Sequence, residues 1–86
     1  QPNRLAVHLL RGESMLLWTT IQGVFVTQNV RSGEWARLNS QLASTGVPLV
    51  QVRPYPLGPR ALIELADGSA YVLNAEADTL TPVRYP

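Results

Sequence analysis

The chain has 86 residues, a net charge of +1 from seven basic and six acidic side chains, and no cysteine. That length makes one domain with a modest core. The near-neutral balance gives no basic face for nucleic acid or for an anionic membrane surface, and the missing thiols exclude disulfides, thiolate catalysis and cysteine zinc sites. Hydrophobic residues, at 45%, are a normal globular share, which argues against disorder. No apolar run approaches the roughly 18 residues of a membrane-spanning helix. The basic residues are all arginine, a bias that a GC-rich genome explains and that also suits forked contacts at interfaces. The chain opens Gln1-Pro2-Asn3 without a leader pattern. That start fits a processed secreted or periplasmic protein, or the ordered part of a longer chain.

Short β-branched and aromatic runs separated by Gly, Pro, Asn and Asp predict strands and turns throughout. The first strand is expected over Leu5 to Leu10, closed by Arg11-Gly12-Glu13-Ser14. The second is Met15 to Thr20, the third Val24 to Gln28 and the fourth Glu34 to Asn39. A longer link, Ser40 to Pro48, follows; Ser40 is placed to cap one helical turn there, while Gly46 and Pro48 forbid more. Leu49 to Arg53 is the next strand. It ends at Pro54-Tyr55-Pro56-Leu57-Gly58-Pro59, a stiff surface connection, since prolines are excluded from central strands. Arg60 to Leu65, Ala70 to Asn74 and Thr79 to Tyr85 complete the pattern, with Ala66-Asp67-Gly68 as a hairpin turn.

The halves echo each other. At a spacing of 45 residues Val7 falls on Val52, Leu17 on Leu62, Trp18 on Ile63, Gly23 on Gly68, Trp35 on Leu80 and Leu38 on Val83. One extra residue after the second hairpin turn puts Phe25 on Tyr71 and Val26 on Val72. The expected fold is therefore all-β: two tandem four-stranded antiparallel meanders, resembling propeller blades, over about residues 5–39 and 50–84 of a single domain. A lone blade cannot bury both faces, and two are too few for a propeller. The sheets must pack as a small sandwich or barrel, form a ring by oligomerisation, or dock on a larger partner. Met15-Leu16-Leu17-Trp18 and Ala61-Leu62-Ile63 are apolar without alternation, which points to cover on both sides of each sheet.

Gly23-Val24-Phe25-Val26-Thr27-Gln28-Asn29 followed by Gly33-Glu34-Trp35-Ala36-Arg37-Leu38-Asn39 resembles the Asp-box repeat of sialidase-like and sortilin-like β-propellers. Thr27, Asn29, Gly33 and Trp35 take the positions of the box. Asn29 stands where Asp is usual, and the Asn-to-Gly spacing is two residues longer. The second half keeps Val72, Asn74 and Leu80 but not the Gly or the Trp. The resemblance covers about half the chain and implies a blade held by a turn-stabilising device. It does not imply sialidase activity, because that family's catalytic residues have no positions here.

Chemistry-bearing constellations are sparse. His8 sits between Val7 and Leu9, where alternation points it away from both, toward solvent or an interface; without Cys or a second His it makes a poor zinc site. Gly12-Glu13-Ser14 lacks the rest of a nucleophile elbow. Glu64 with Asp67, and Glu76 with Asp78, are expected to be solvated turn or strand-end acids rather than a glycosidase pair; Asp67 fits an Asx turn before Gly68. No cofactor or metal is expected. Trp18 and Trp35 are expected mainly in the core, with Trp35 partly exposed beside Arg37. The candidate binding residues are Trp35, Arg37, Arg53, Tyr55 and Tyr85, because aromatic residues next to arginine anchor partners. These readings favour a non-enzymatic protein–protein interaction or assembly module, self-associating or docking in a larger complex. The alternative is a lectin-like oligomeric propeller with a glycan as ligand.

Overall fold

A computed structural model describes residues 15–42, 45–55 and 59–84, and residues 4–10 by their backbone path. Eight strands follow one another: β1 (Arg4–Leu10), β2 (Met15–Thr20), β3 (Val24–Asn29), β4 (Trp35–Gln41), β5 (Leu49–Pro54), β6 (Arg60–Leu65), β7 (Ala70–Asn74) and β8 (Thr79–Val83). They form two four-stranded antiparallel meanders, β1-β2-β3-β4 and β5-β6-β7-β8, here sheet 1 and sheet 2. The fold is all-β, as expected, and does not close into a barrel.

The register of sheet 1 repeats in sheet 2, 45 residues on. Val7 faces Trp18 as Val52 faces Ile63, and Trp18 faces Val26 as Ile63 faces Tyr71. Gln28 faces Trp35 as Leu73 faces Leu80. Even the irregularity in the first ladder, between Arg4 and Ala6, recurs between Leu49 and Gln51. The expected extra residue is absent. Phe25 therefore corresponds to Ala70 and Val26 to Tyr71, because a register in hydrogen bonds outweighs a match in side-chain size.

The turns repeat with the strands, since the same residues solve the same backbone problem. Gly23 and Gly68 close the β2–β3 and β6–β7 turns at φ 88° and 89°, a left-handed conformation that favours glycine. Asn29 Oδ1 accepts the N–H groups of Arg31 and Ser32, and Asn74 Oδ1 accepts those of Glu76 and Ala77. These Asx turns head the β3–β4 and β7–β8 connections. At the left-handed position of those connections stand Gly33 (φ 76°) and Asp78 (φ 56°).

Two local expectations change. Ser40 lies in β4, not at the start of a helical turn, because Ser40 bonds across to sheet 2. Pro54 is the last residue of β5 rather than part of the connection; β5 is an edge strand, where a missing N–H is tolerated.

Each sheet has two faces that correspond through the repeat. The front carries Leu17, Thr19, Phe25 and Thr27 in sheet 1, and Leu62, Glu64, Ala70 and Val72 in sheet 2. The back carries Leu16, Trp18, Val26 and Trp35 in sheet 1, and Ala61, Ile63, Tyr71 and Leu80 in sheet 2. One core cluster joins Leu17, Phe25 and Leu38 to Val52, Ala61, Ile63, Leu65 and Leu73. The front of sheet 1 thus packs on the back of sheet 2. Phe25, Leu17, Ile63 and Leu73 are fully buried, each contributing roughly 1.5–3 kcal/mol by leaving water. The first strands, β1 and β5, run close together, while β4 and β8 approach only locally. The stack is therefore in more extensive contact at its first strands than at its last.

Candidate functional site

The front-on-back stack leaves two different faces uncovered among the described residues: the back of sheet 1 and the front of sheet 2. The sequence-derived candidates divide between them.

On the back of sheet 1, Trp35 opens β4 and is 51% exposed. Its ring lies 5.7 Å from that of Trp18, tilted by 46°, a favourable aromatic geometry. Trp18 is partly exposed rather than a core residue, because the alternation of β2 sends Leu17 and Thr19 into the core and Leu16 and Trp18 to the other side. Arg37 faces Val26 across the β3–β4 ladder and is exposed. The box-like turn prepares this surface. Asn29 holds the connection, Gly33 N–H donates to the Asn29 carbonyl at 2.8 Å, and Gln28 Nε2 donates to the Gly33 carbonyl at 3.2 Å. Trp35 follows directly, and the ladder sets it beside Trp18.

On the front of sheet 2, Arg53 pairs with Glu64 at 2.7 Å. Tyr55 is exposed, with the Arg60 guanidinium 5.9 Å from its ring centre, and its N–H donates to the Arg60 carbonyl at 2.9 Å. A shallow groove of about 300 Å³ runs from Tyr55 and Arg60 past Val72 and Asn74 to Thr79 and Thr81. Tyr85 lies outside the described residues. So does the side chain of His8, whose backbone stands opposite Leu17 in the first ladder. The structure therefore brings Trp35 to Arg37 and Arg53 to Tyr55, but places the pairs on opposite ends of the stack.

The residue that sequence reasoning missed is Asp78. Its carboxylate accepts the N–H groups of Asn39 and Ser40 at 2.8 and 2.9 Å, and its carbonyl accepts the Ser40 hydroxyl at 2.9 Å. The N–H of Ser40, then that of Asn39, hold its carboxyl below the usual value. The one local signal was an Asp at the repeat position of Gly33. Asp67 is also lowered, first by the Ser69 hydroxyl and then by the Ser69 N–H, as its Asx turn requires.

A second cavity, of about 580 Å³, opens between the β2–β3 turn and the inter-sheet link, lined by Ile21, Gln22, Gly46, Val47 and Pro48. No titratable side chain stands among those lining residues. Among the described residues, no three His, Cys, Asp or Glu side chains gather in a way that could hold a metal. The chain matches no protein-family model and no curated protein.

Proposed function

We propose that this chain is a non-catalytic assembly module, a pair of blade-like sheets whose end faces take further β-structure. One observation carries the reading: the sheets stack front to back, so unlike faces stay open, and one of them presents Trp18 and Trp35. A contiguous aromatic patch flanked by an arginine is the composition of a protein-binding surface. The propeller-blade likeness of the Asn29–Trp35 segment supports the same reading, because blades are stable only beside other blades. The test is the size of the particle that contains the chain in native extracts, measured by cross-linking and sedimentation. A particle larger than the single chain is expected; the chain running alone at all concentrations removes the proposal.

A second reading, carbohydrate binding, is favoured by the groove between Tyr55 and Thr81. An aromatic ring beside Arg60, Asn74 and two threonines suits a sugar's apolar face and hydroxyls. Arg60 already stands near the Tyr55 ring, which leaves less of it for stacking. A glycan array decides: binding that Tyr55→Ala abolishes supports the sugar, and silence across the array removes it.

A further inference from the structure

Resting on the assembly reading, we infer that the partner is a second copy of this chain, joined head to tail, with the back of sheet 1 of one copy covering the front of sheet 2 of the next. The inference comes from continuing an interface already present inside the chain. There, Leu17 and Phe25 of a front meet Ile63 and Tyr71 of a back. The two open faces are the repeat counterparts of the two closed ones. Leu16, Trp18, Val26 and Trp35 stand where Ala61, Ile63, Tyr71 and Leu80 stand, with the same cross-strand pairing. Leu62, Ala70 and Val72 stand where Leu17, Phe25 and Thr27 stand.

Side-chain bulk is distributed differently across the open pair. The open front has Ala70 in place of Phe25, with Glu64 and Val72 in place of Thr19 and Thr27, while the open back has Trp18 and Trp35 in place of Ile63 and Leu80, with Val26 in place of Tyr71. The front is thus smaller at Ala70 and the back larger at its two tryptophans, which makes the unlike faces a better fit for each other than two like faces. The alternative same-face pairing sets Trp18 and Trp35 of one copy against their own images and leaves the face of Leu62 and Val72 open.

A head-to-tail interface is heterologous and either closes into a ring or runs on as a fibre. The more extensive approach of β1 to β5 than of β4 to β8 favours the ring, because each step then turns about an axis beside the first strands. Closed propellers hold roughly four to eight sheets, which means two to four copies of a chain with two sheets. Repeating the stacking inside the chain, β1 over β5 and β4 over β8, sets Trp35 and Arg37 of one copy against Thr79 and Thr81 in β8 of the next, and β1 of the first copy against Arg53 and Tyr55 at the β5 edge.

Sedimentation of the purified chain tests this. Trp35→Glu blocks the back and Val72→Arg blocks the front; both positions retain solvent exposure, and a cooperative thermal transition verifies folding. Arg37→Glu and Thr81→Arg are substitutes on the same faces if either variant fails to fold. The wild type is expected as one closed oligomer. Each variant alone is expected as a monomer, and an equal mixture as a heterodimer with a single productive interface. A monomeric wild type, a Val72→Arg variant that still dimerises through its tryptophans, or a mixture that stays monomeric overturns the inference. A monomeric purified chain from a source whose native particle is larger overturns the second-copy partner alone and leaves the assembly reading standing.

Discussion

Asp78 and Ser40 hold each other reciprocally. The Asp78 carboxylate accepts the Ser40 N–H at 2.9 Å, and the Ser40 hydroxyl donates to the Asp78 carbonyl at the same distance. One residue belongs to the β7–β8 turn and the other to β4, so this pair pins the outer part of sheet 1 to sheet 2 where the strands are otherwise in less extensive contact. It also accounts for a non-glycine residue at φ 56°. Backbone strain of that kind persists when surrounding bonds over-determine it.

Substitution separates the clamp from the strain. Asp78→Ala loses the acceptors and keeps the left-handed backbone, so it is expected to lower the melting temperature most. Asp78→Gly loses the acceptors but relieves the backbone, and ranks second. Asp78→Asn tolerates the conformation and retains one acceptor oxygen, so it ranks closest to the wild type. Thermal denaturation followed by circular dichroism gives the order. An Asp78→Ala variant as stable as the wild type would show that the clamp does nothing for stability.

Acid should loosen the fold. The carboxyls of Asp78 and Asp67 lie below the ordinary aspartate value of 3.8 in the folded chain. Their contribution is therefore fully present above that value and is lost as pH falls from there through the lower folded-state values. Melting temperature is expected to decline over that acidic range, with a shallower decline in Asp78→Asn. A pH series of melting curves checks this, and parallel curves for the two proteins contradict it.

Gly23 and Gly68 share a conformation but not a neighbourhood. A Cβ at Gly23 would come within 2.6 Å of Leu42 Cβ, whereas a Cβ at Gly68 meets nothing within 4 Å among the described residues. Gly68→Ala is expected to cost about 1–2 kcal/mol for the left-handed backbone alone. Gly23→Ala adds an overpacking cost of about 1–3 kcal/mol, because the N–H of Leu42 is bound to the Gly23 carbonyl at 2.8 Å and cannot easily withdraw. Urea titration of both variants measures the difference; equal losses would mean that the end of β4 yields freely.

Thr19 offers the opposite sign. Thr19 is 1% exposed, and among the described residues its hydroxyl has no hydrogen-bond partner. Thr19→Val removes the buried polar group and keeps the branched shape, so stability is expected to rise by roughly 1 kcal/mol. A loss of stability in the same urea experiment would point to a partner for that hydroxyl.

Strand positions and turns were legible because both are local. Met15 to Thr20, Arg60 to Leu65 and Ala70 to Asn74 follow directly from runs of β-formers between turn residues. Asp67 declared its turn by preceding Gly68. The candidate site was legible in residue type but not in arrangement: Trp35, Arg37, Arg53 and Tyr55 are exposed, yet no local pattern tells which pairs share a sheet face. Size matching even misled, since Phe25 looks like Tyr71 while its place in the ladder belongs to Ala70.

By itself, the sequence determined eight strands, their turns and a duplication, because alternation along a strand and left-handed positions at glycine and asparagine are settled within a few neighbouring residues. Tertiary structure alone decided which face of each sheet is hidden. Both sides of β2 are apolar, and nothing within β2 distinguishes Leu17 from Trp18; the choice was made by the back of sheet 2, which covers one and leaves the other toward solvent. The Asp78 clamp was likewise decided there, since its partners lie 38 and 39 residues away in the chain and meet it only when the two sheets have stacked.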